Sequence, residues 1–589
     1  MTRRVLRVRA LRRSRRGAMA AMGAIVLAVL FAFAALSVDT GMMVMTQTNM
    51  QNAVDAAALA AAQEITAAIE NADDGSEIGP IDASSPVTAA AREMAAKVAT
   101  ANGVYIDPAV DVIFGNRSFS NSTKQWSIAW NQAPFNVVRV NARRDDADPD
   151  QPDGQLPLTF GWAVGRATVP LTVSATSFVE ARDLVLVLDY SSSMNDDTSM
   201  VSFASLGQAS VEQSLDEIWN ALVASGTTWP GTTEPKFPAG GFGLVNSPLG
   251  TFYNSVNRDT IFNYLGLNQL RADGTPRFPF PQSGRDANGL PLARPSATVS
   301  RDRWYAYIDY VKSRSNSYRM RYGYRTLMDF LQDEKFLSRD SEDLWRTPHY
   351  PFHAVKQGTT LFLDFLTTLD FGDEVGLVSY ATTSRVESFL NDGVEYVDIR
   401  TDPVTANLTA LNTIQTHKQA GHDSSSTAMG YGIRDGREML LGTSTRQGTL
   451  REGARATMLI MTDGLPNQSP SGWRMPTTWN WNAWTDYDGN GSADYSTTDV
   501  HKQYAFWEAS EAIRKGVTVH TMSVGGAADA QLMRAMAHAG GGVWINVPGK
   551  LSIAELESQL EQAFRKIAAK VPPPKLIYDP STPPTASGS

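Results

Sequence analysis

Residues 183–194 read DLVLVLDYSSSM: five consecutive apolar side chains, Leu184 to Leu188, followed by an aspartate, a tyrosine and three serines. A strand with one wet face alternates apolar and polar residues. An unbroken apolar run of this length fits a strand covered on both faces, as in a parallel sheet with helices above and below. Three further runs have the same character: Val375–Tyr380 (VGLVSY), Thr457–Met461 (TMLIM) and Val517–Val524 (VTVHTMSV). Phe352, Val355, Phe362, Leu366 and Leu369 recur near one helical face, and Leu556, Leu560, Phe564 and Ile567 do the same near the C-terminus. Strands alternating with amphipathic helices predict a doubly wound α/β sheet over about residues 181–570.

Ligands of such sheets bind beyond the carboxyl ends of the strands, where strand order reverses. Asp189, Ser191 and Ser193 put short oxygen side chains at alternate positions on the turn that leaves the first run, and another run ends Met461-Thr462-Asp463-Gly464. All-oxygen donors suit a small hard cation, since magnesium takes about six oxygens near 2.1 Å and keeps waters. The alternative is that Ser191, Ser193 and Asp463 only cap helices.

DYSSSM resembles the D-x-S-x-S of the metal-ion-dependent adhesion site in von Willebrand factor A (vWA) domains, and Thr462-Asp463-Gly464 resembles that family's fourth-strand aspartate turn. Thr427-Ala428-Met429-Gly430-Tyr431-Gly432-Ile433 is similar to the family's threonine opening a helix of small residues, with Ser426 a close competitor. The resemblance implies a vWA doubly wound, mainly parallel sheet with helices on both faces. It also implies that Ser191, Ser193 and Thr427 contact Mg2+ (or Mn2+) through their hydroxyls. Asp189 and Asp463 would bind it directly or through water, and the sixth position would accept an acidic group from a protein partner. The sequence departs from the pattern at Ser192, where glycine is commonest.

A second oxygen cluster, Asp486-Tyr487-Asp488-Gly489-Asn490-Gly491-Ser492-Ala493-Asp494, carries oxygen side chains at positions one, three, five and nine and a glycine at six. It resembles a calcium-binding loop of EF-hand or dockerin type. Asp486, Asp488, Asn490 and Asp494 are its candidate Ca2+ ligands, while position twelve is Thr497 rather than the usual glutamate. Without a metal these residues read as a solvated turn. Trp473, Trp479, Trp481 and Trp484 crowd the same segment, either as an interface or as a local core under a long loop. Deleting 467–498 is expected to alter partner binding and leave the sheet folded.

Composition narrows the chemistry. The 589 residues contain no cysteine, which removes disulfides, thiolate metal sites and cysteine nucleophiles. The chain sums to −9 although residues 1–16 alone carry eight arginines, so its body is acidic and nucleic acid is not expected as a partner. The seven histidines form no H-E-x-x-H pair, and His520 in a buried run reads as a satisfied core residue. There is no P-loop and no G-x-S-x-G elbow, so an enzyme is not expected.

After the arginines, Ala18–Val38 (AMAAMGAIVLAVLFAFAALSV) runs 21 residues without a charge. At about 1.5 Å per residue this helix spans a hydrocarbon core of roughly 30 Å. Flanking arginines place its N-terminus in the cytoplasm by the positive-inside rule, and the rest of the chain outside the inner membrane. The alternative is a signal peptide cut near Ala34–Ser37, against which the apolar run is longer than a usual signal core. The helical pattern continues through GMMVMTQTNMQNAVDAAALAAAQ. The order of arginine block, RRGAMAAMGAIVLAVL, SVDTGMM and QNAVDAAALAAA resembles the N-terminal segment of TadG-like (tight-adherence, Flp pilus-assembly) proteins over about residues 12–63.

The expected organisation is therefore a cytoplasmic segment (1–17), a transmembrane helix (18–38), an α+β stalk (64–180), a vWA domain (181–570) and a disordered tail (571–589). Insertions at about 196–348 and 467–498 interrupt the vWA domain and should rise on its metal face. The implied function is a membrane-anchored envelope protein of pilus assembly or adhesion, with pilus or secretion components as its partners and binding through the metal. The alternatives are an envelope scaffold whose metal only stabilises the fold, and a metal-dependent hydrolase.

Overall fold

The computed structural model describes residues 16–71, 79–195, 256–280, 295–314, 321–334, 342–392, 395–421 and 426–577. Nearly all of the arginine-rich start, the bulk of the 196–348 insertion before residue 256, and the tail from 578 lie outside the described residues.

One helix, α1 (Arg16–Asn71), runs 56 residues from the apolar segment into the stalk. Its first half is exposed, with a mean hydropathy of 2.5 and 0% of its most apolar window buried, and is long and apolar enough to cross a membrane. Its second half changes character. Val54, Ala57, Ala58, Ala61, Ala62, Ile65 and Ile69, spaced three or four apart, are buried in one core. Their small side chains let α2 (Pro86–Ala101) lie close through Ala91, Ala95 and Ala99.

The helix pair covers one antiparallel sheet of strands β1 (Val112–Ser120), β2 (Gln125–Trp130), β3 (Val137–Arg144), β6 (Leu171–Phe178) and β16 (Lys575–Ile577), in the order β16-β6-β3-β1-β2. The short strands β4 (Leu156–Pro157) and β5 (Thr168–Val169) pair beside it. The last strand corrects the expected tail: residues 571–577 are ordered, and Lys575–Ile577 pair with Thr176–Phe178. A proline-rich composition does not disclose edge pairing with a strand four hundred residues away.

The second sheet combines β7 (Arg182–Asp189), β8 (Glu374–Tyr380), β9 (Ser384–Val386), β12 (Val404–Thr405), β13 (Arg455–Thr462), β14 (Thr518–Val524) and β15 (Gly541–Val547). Their order is β12-β8-β7-β13-β14-β15, with β9 also on β8, and a hairpin of β10 (Phe389–Asn391) and β11 (Tyr396–Asp398) lies apart. Pairings among β8, β7, β13, β14 and β15 are parallel. The doubly wound, mainly parallel sheet expected from the sequence is present. Leu184, Leu186 and Leu188 enter one core, with helices α6 (Phe352–Leu369), α7 (Leu408–Thr416) and α12 (Ile553–Ala568). The intervening Val185 and Val187 enter the other, with α8 (Met429–Leu441), α10 (Val500–Ile513) and α11 (Ala530–Ala539), the short α9 (Asn482–Thr485) lying between α8 and α10 in the chain. That division is the period-two geometry of a strand covered twice.

The described part of the large insertion is helical: α3 (Arg258–Tyr264), α4 (Ala297–Ser313) and α5 (Tyr324–Glu334). Trp304, Tyr307, Phe280 and Phe330 stack edge to face and share the core of Leu184 and Phe352, so the insertion extends the domain's own core. Buried Lys356 of α6 fastens it, donating to the carbonyls of Trp345 (2.7 Å), Lys418 (3.2 Å) and Thr416 (3.3 Å). Lys356→Met should lower the unfolding free energy by about 1–3 kcal/mol, because the carbonyls lose their donor; equilibrium denaturation reads the change.

Candidate metal centre

The sheet order decides where a site can lie. From β7 the chain builds outward to β8 on one side and to β13 on the other, so strand order reverses between β7 and β13. Asp189 is the last residue of β7, and Asp463 follows the last residue of β13. The crevice expected of a doubly wound sheet therefore opens between these two carboxylates.

The side chains around it are joined by hydrogen bonds. Ser193 Oγ donates to Asp463 Oδ1 at 2.8 Å, and the hydroxyls of Ser191 and Ser193 lie 2.9 Å apart. The Asp189 carboxylate accepts from the Ser191 amide at 2.9 Å and from Thr462 Oγ1 at 2.7 Å. Asp189, Ser191, Thr427 and Asp463 are all buried.

Thr427, distant in sequence, arrives through close helix packing. Gly432 and Gly436 of α8 face the sheet, where a Cβ at Gly432 would come within 2.7 Å of the Tyr380 ring and one at Gly436 within 3.1 Å of Val185 and Val187. Glycines at these positions let the helix settle on β7 and β8 with its N-terminus at the crevice. A Cβ placed on Gly464 would meet Thr427 Oγ1 at 3.5 Å and Ser193 Oγ at 4.0 Å, so the threonine hydroxyl stands at the same turn. Its competitor Ser426 instead accepts a hydrogen bond from Gln468. Gly432→Val should displace α8, costing about 1–3 kcal/mol of stability by overpacking, and should weaken divalent-cation binding in a parallel titration.

Two residues of this site escaped the sequence reading. Thr462 orients Asp189, and Asn467 clamps the threonine loop, its Oδ1 accepting from the Thr427 amide at 2.7 Å and its own amide donating to the Thr427 carbonyl. Thr462 was adjacent to a recognised aspartate. Asn467 had no sequence signal beyond its place in the Gly-Leu-Pro-Asn turn.

The donor set fits a hard divalent cation. It consists of two carboxylates and three hydroxyls, and among the described residues no lysine or arginine pairs with Asp189. Burial pushes the Asp189 carboxyl up to about 6 against the hydrogen bonds of Ser191 and Thr462 that favour its charge. A bound cation would offset that cost of charge burial.

The second cluster is exposed. Carboxylate oxygens of Asp486, Asp488 and Asp494 lie within 4.8 Å of one another. Asp486 accepts from the amides of Asn490 and Gly491, and Asn490 is tied to Asp488 and Ser492 inside the same turn. Gly489 and Gly491 take positive φ, 72° and 83°, which a tight loop of this kind requires of glycine. Thr497 Oγ1 accepts from the Asp499 amide in the turn before α10.

The tryptophans beside this loop form a local core. Trp479 stacks on Trp484 with centroids 5.6 Å apart, Trp481 meets Phe506 at 4.9 Å, and Trp473 lies against Tyr504 and Trp507. With Asn467 holding Thr427, this packing counts against the expectation that deleting 467–498 leaves the sheet folded. Deletion would uncover α10 and unclamp the threonine.

Together these features define a doubly wound α/β sheet with an oxygen-lined crevice at its switch point, on a chain that opens with a long apolar helix. Residues 17–64 match the family described as "Putative Flp pilus-assembly TadE/G-like" (Tad), so the N-terminal segment is TadE/G-like. No curated protein matches the chain. Among solved structures, the pilus adhesin SpaC from Lactobacillus rhamnosus GG is similar at 16% identity, over 37% of this chain and 28% of its own, with a TM-score of 0.23. A von Willebrand factor type A protein from Catenulispora acidiphila matches at 15% identity, over 37% and 38%, with a TM-score of 0.22. Proximal thread matrix protein 1 from the mussel byssus, with a zinc-occupied MIDAS motif, matches at 12% identity, over 66% and 97%, with a TM-score of 0.22. The chain thus spans 28% and 38% of the first two.

Proposed function

We propose that this is a membrane-anchored bacterial envelope protein of pilus assembly or adhesion that grips a protein partner through a divalent cation. The observation that carries the reading is the meeting of Asp189, Ser191, Ser193, Thr427 and Asp463 at the sheet's switch point. These residues would hold Mg2+ or Mn2+. An open coordination position would then take a carboxylate from the partner, a strong contact in a buried crevice. Asp486, Asp488, Asn490 and Asp494 would hold Ca2+ and stiffen the tryptophan-cored loop beside the Thr427 clamp.

The TadE/G-like segment supports the pilus-assembly setting. The exposed apolar half of α1 supports a single crossing of the inner membrane, with the arginines on the cytoplasmic side and both sheets outside. The TadE/G-like segment favours a binding role over hydrolysis.

Capture of envelope proteins by the full chain, with and without chelator, tests this reading. Partners lost on chelation and restored by Mg2+ are the expected result. An identical partner set under both conditions would leave an envelope scaffold whose metal only stabilises the fold.

A further inference from the structure

Asp39 is the first charged residue after the apolar segment of α1, yet it is only 6% exposed. What covers it is a loop of the stalk. The backbone N–H groups of Thr159 and Phe160 donate to its carboxylate at 2.8 and 3.0 Å, fixing the loop beside the turn of helix where the apolar run ends. The loop is tightly built. A Cβ on Gly161 would come within 1.9 Å of the Arg166 carbonyl oxygen, Gly165 takes φ +75°, and the Arg166 amide returns to the Gly161 carbonyl at 2.9 Å.

At the head of this loop Trp162 is 75% exposed, more than any other large hydrophobic side chain among the described residues outside α1. Phe160 is exposed next to it, and so is Arg166. On α1 the exposed apolar surface continues past Asp39 through Met42, Val44 and Met45. An indole left in water is costly, whereas indoles concentrate in the headgroup layer, where an apolar ring and a polar N–H are both satisfied.

We propose that the 158–165 loop seats Trp162 in the headgroup layer of the same bilayer that α1 crosses, making a second membrane contact beside the anchor. Arg166 adds a charge suited to the lipid phosphates. Two contacts on different elements fix the height and tilt of the stalk, so the metal face is presented at a set orientation and does not swivel on one helix. This inference rests on the anchor reading of α1, and its test separates the two.

Because the chain has no cysteine, a single introduced thiol carries a fluorescent probe without background. The full chain is reconstituted in phosphatidylcholine/phosphatidylglycerol vesicles with and without a lipid-borne quencher, labelled in turn at Phe31→Cys in the apolar segment, Trp162→Cys in the loop and Ser558→Cys at an exposed position of α12. Arg166→Cys reports on the loop with Trp162 intact. Strong quenching at 31, comparable quenching at 162 or 166, and none at 558 is the expected result. Quenching at 31 with 162 and 166 behaving like 558 would overturn the inference and leave the anchor standing, the loop then being a surface for a protein. No quenching at 31 would remove the anchor and the inference with it. Asp39→Ala, which releases the loop, should reduce quenching at 166 while leaving that at 31 unchanged.

Discussion

Asp463→Ala should lower the affinity for Mg2+ or Mn2+ by more than about 100-fold, since losing even an outer partner of a metal ligand costs about 10–100-fold. Asp463 accepts the Ser193 hydroxyl, which is itself 2.9 Å from Ser191, so the substitution also frees both serines from their orientation. Calorimetric titration of the full chain measures the loss directly. Thermal unfolding gives an independent sign. The parent protein should gain about 2.7 kcal/mol of stability at a cation concentration 100 times its dissociation constant, and the variant almost none. In chelator the variant should be about as stable as the parent, because it removes a buried charge together with its ligand role. A variant destabilised equally with and without metal would make Asp463 a structural cap only.

The second large effect lies at the other end of the sheet, where the stalk joins. Arg451 is buried between Asp183 and Glu374, with contacts of 2.5 and 3.1 Å, and also donates to the Gly372 carbonyl. Its guanidinium lies 5.3 Å from the Trp126 ring of the stalk, and Trp126 Nε1 donates to the Glu452 carbonyl. Arg182 is pinned alongside by Asp373 and by the carbonyls of Ala568 and Lys570. Arg451→Met leaves two buried carboxylates without their cation and should cost about 3–5 kcal/mol. The cost should depend on pH. Burial pushes Glu374 up to about 7, against 4.5 for an ordinary glutamate. The folded chain therefore holds a proton in that window that the unfolded chain has released, and this group's contribution to stability falls as pH rises from 4.5 to 7. Removing Arg451 should deepen that fall, so the variant recovers most of its stability near pH 5. Denaturant titrations across the window measure it, and a pH-independent deficit would exclude Glu374 as the cause.

The parts of this protein legible in its sequence are those governed by local pattern. The runs at Leu184–Leu188, Val375–Tyr380, Thr457–Met461 and Val517–Val524 all became strands, because unbroken apolar stretches have few other places to go. Strand β15, Gly541–Val547, carries no such run and sits half-buried at the sheet edge, so its pattern was silent. The carboxylates at the ends of β7 and β13 could be located because each follows closely on an unbroken apolar run, whereas the reversal of strand order between them shows only in the folded sheet. The second tier could not: Asn467 reaches Thr427 across forty residues, and the glycines of α8 reveal their purpose only against Tyr380 and Val187. Composition misled where pairing is long-range, since Lys575–Ile577 looks like linker and completes the stalk sheet.

The proposed metal-dependent grip requires that five oxygen-bearing side chains from three separate segments close on one cation at the rim of the β7–β13 crevice. Anomalous diffraction from crystals grown with Mn2+ tests it most directly. A peak is expected about 2.1–2.2 Å from the hydroxyls of Ser191, Ser193 and Thr427, with Asp189 and Asp463 bound directly or through one water. Manganese in the Asp486–Asp494 loop alone, with this crevice holding only water, would contradict it.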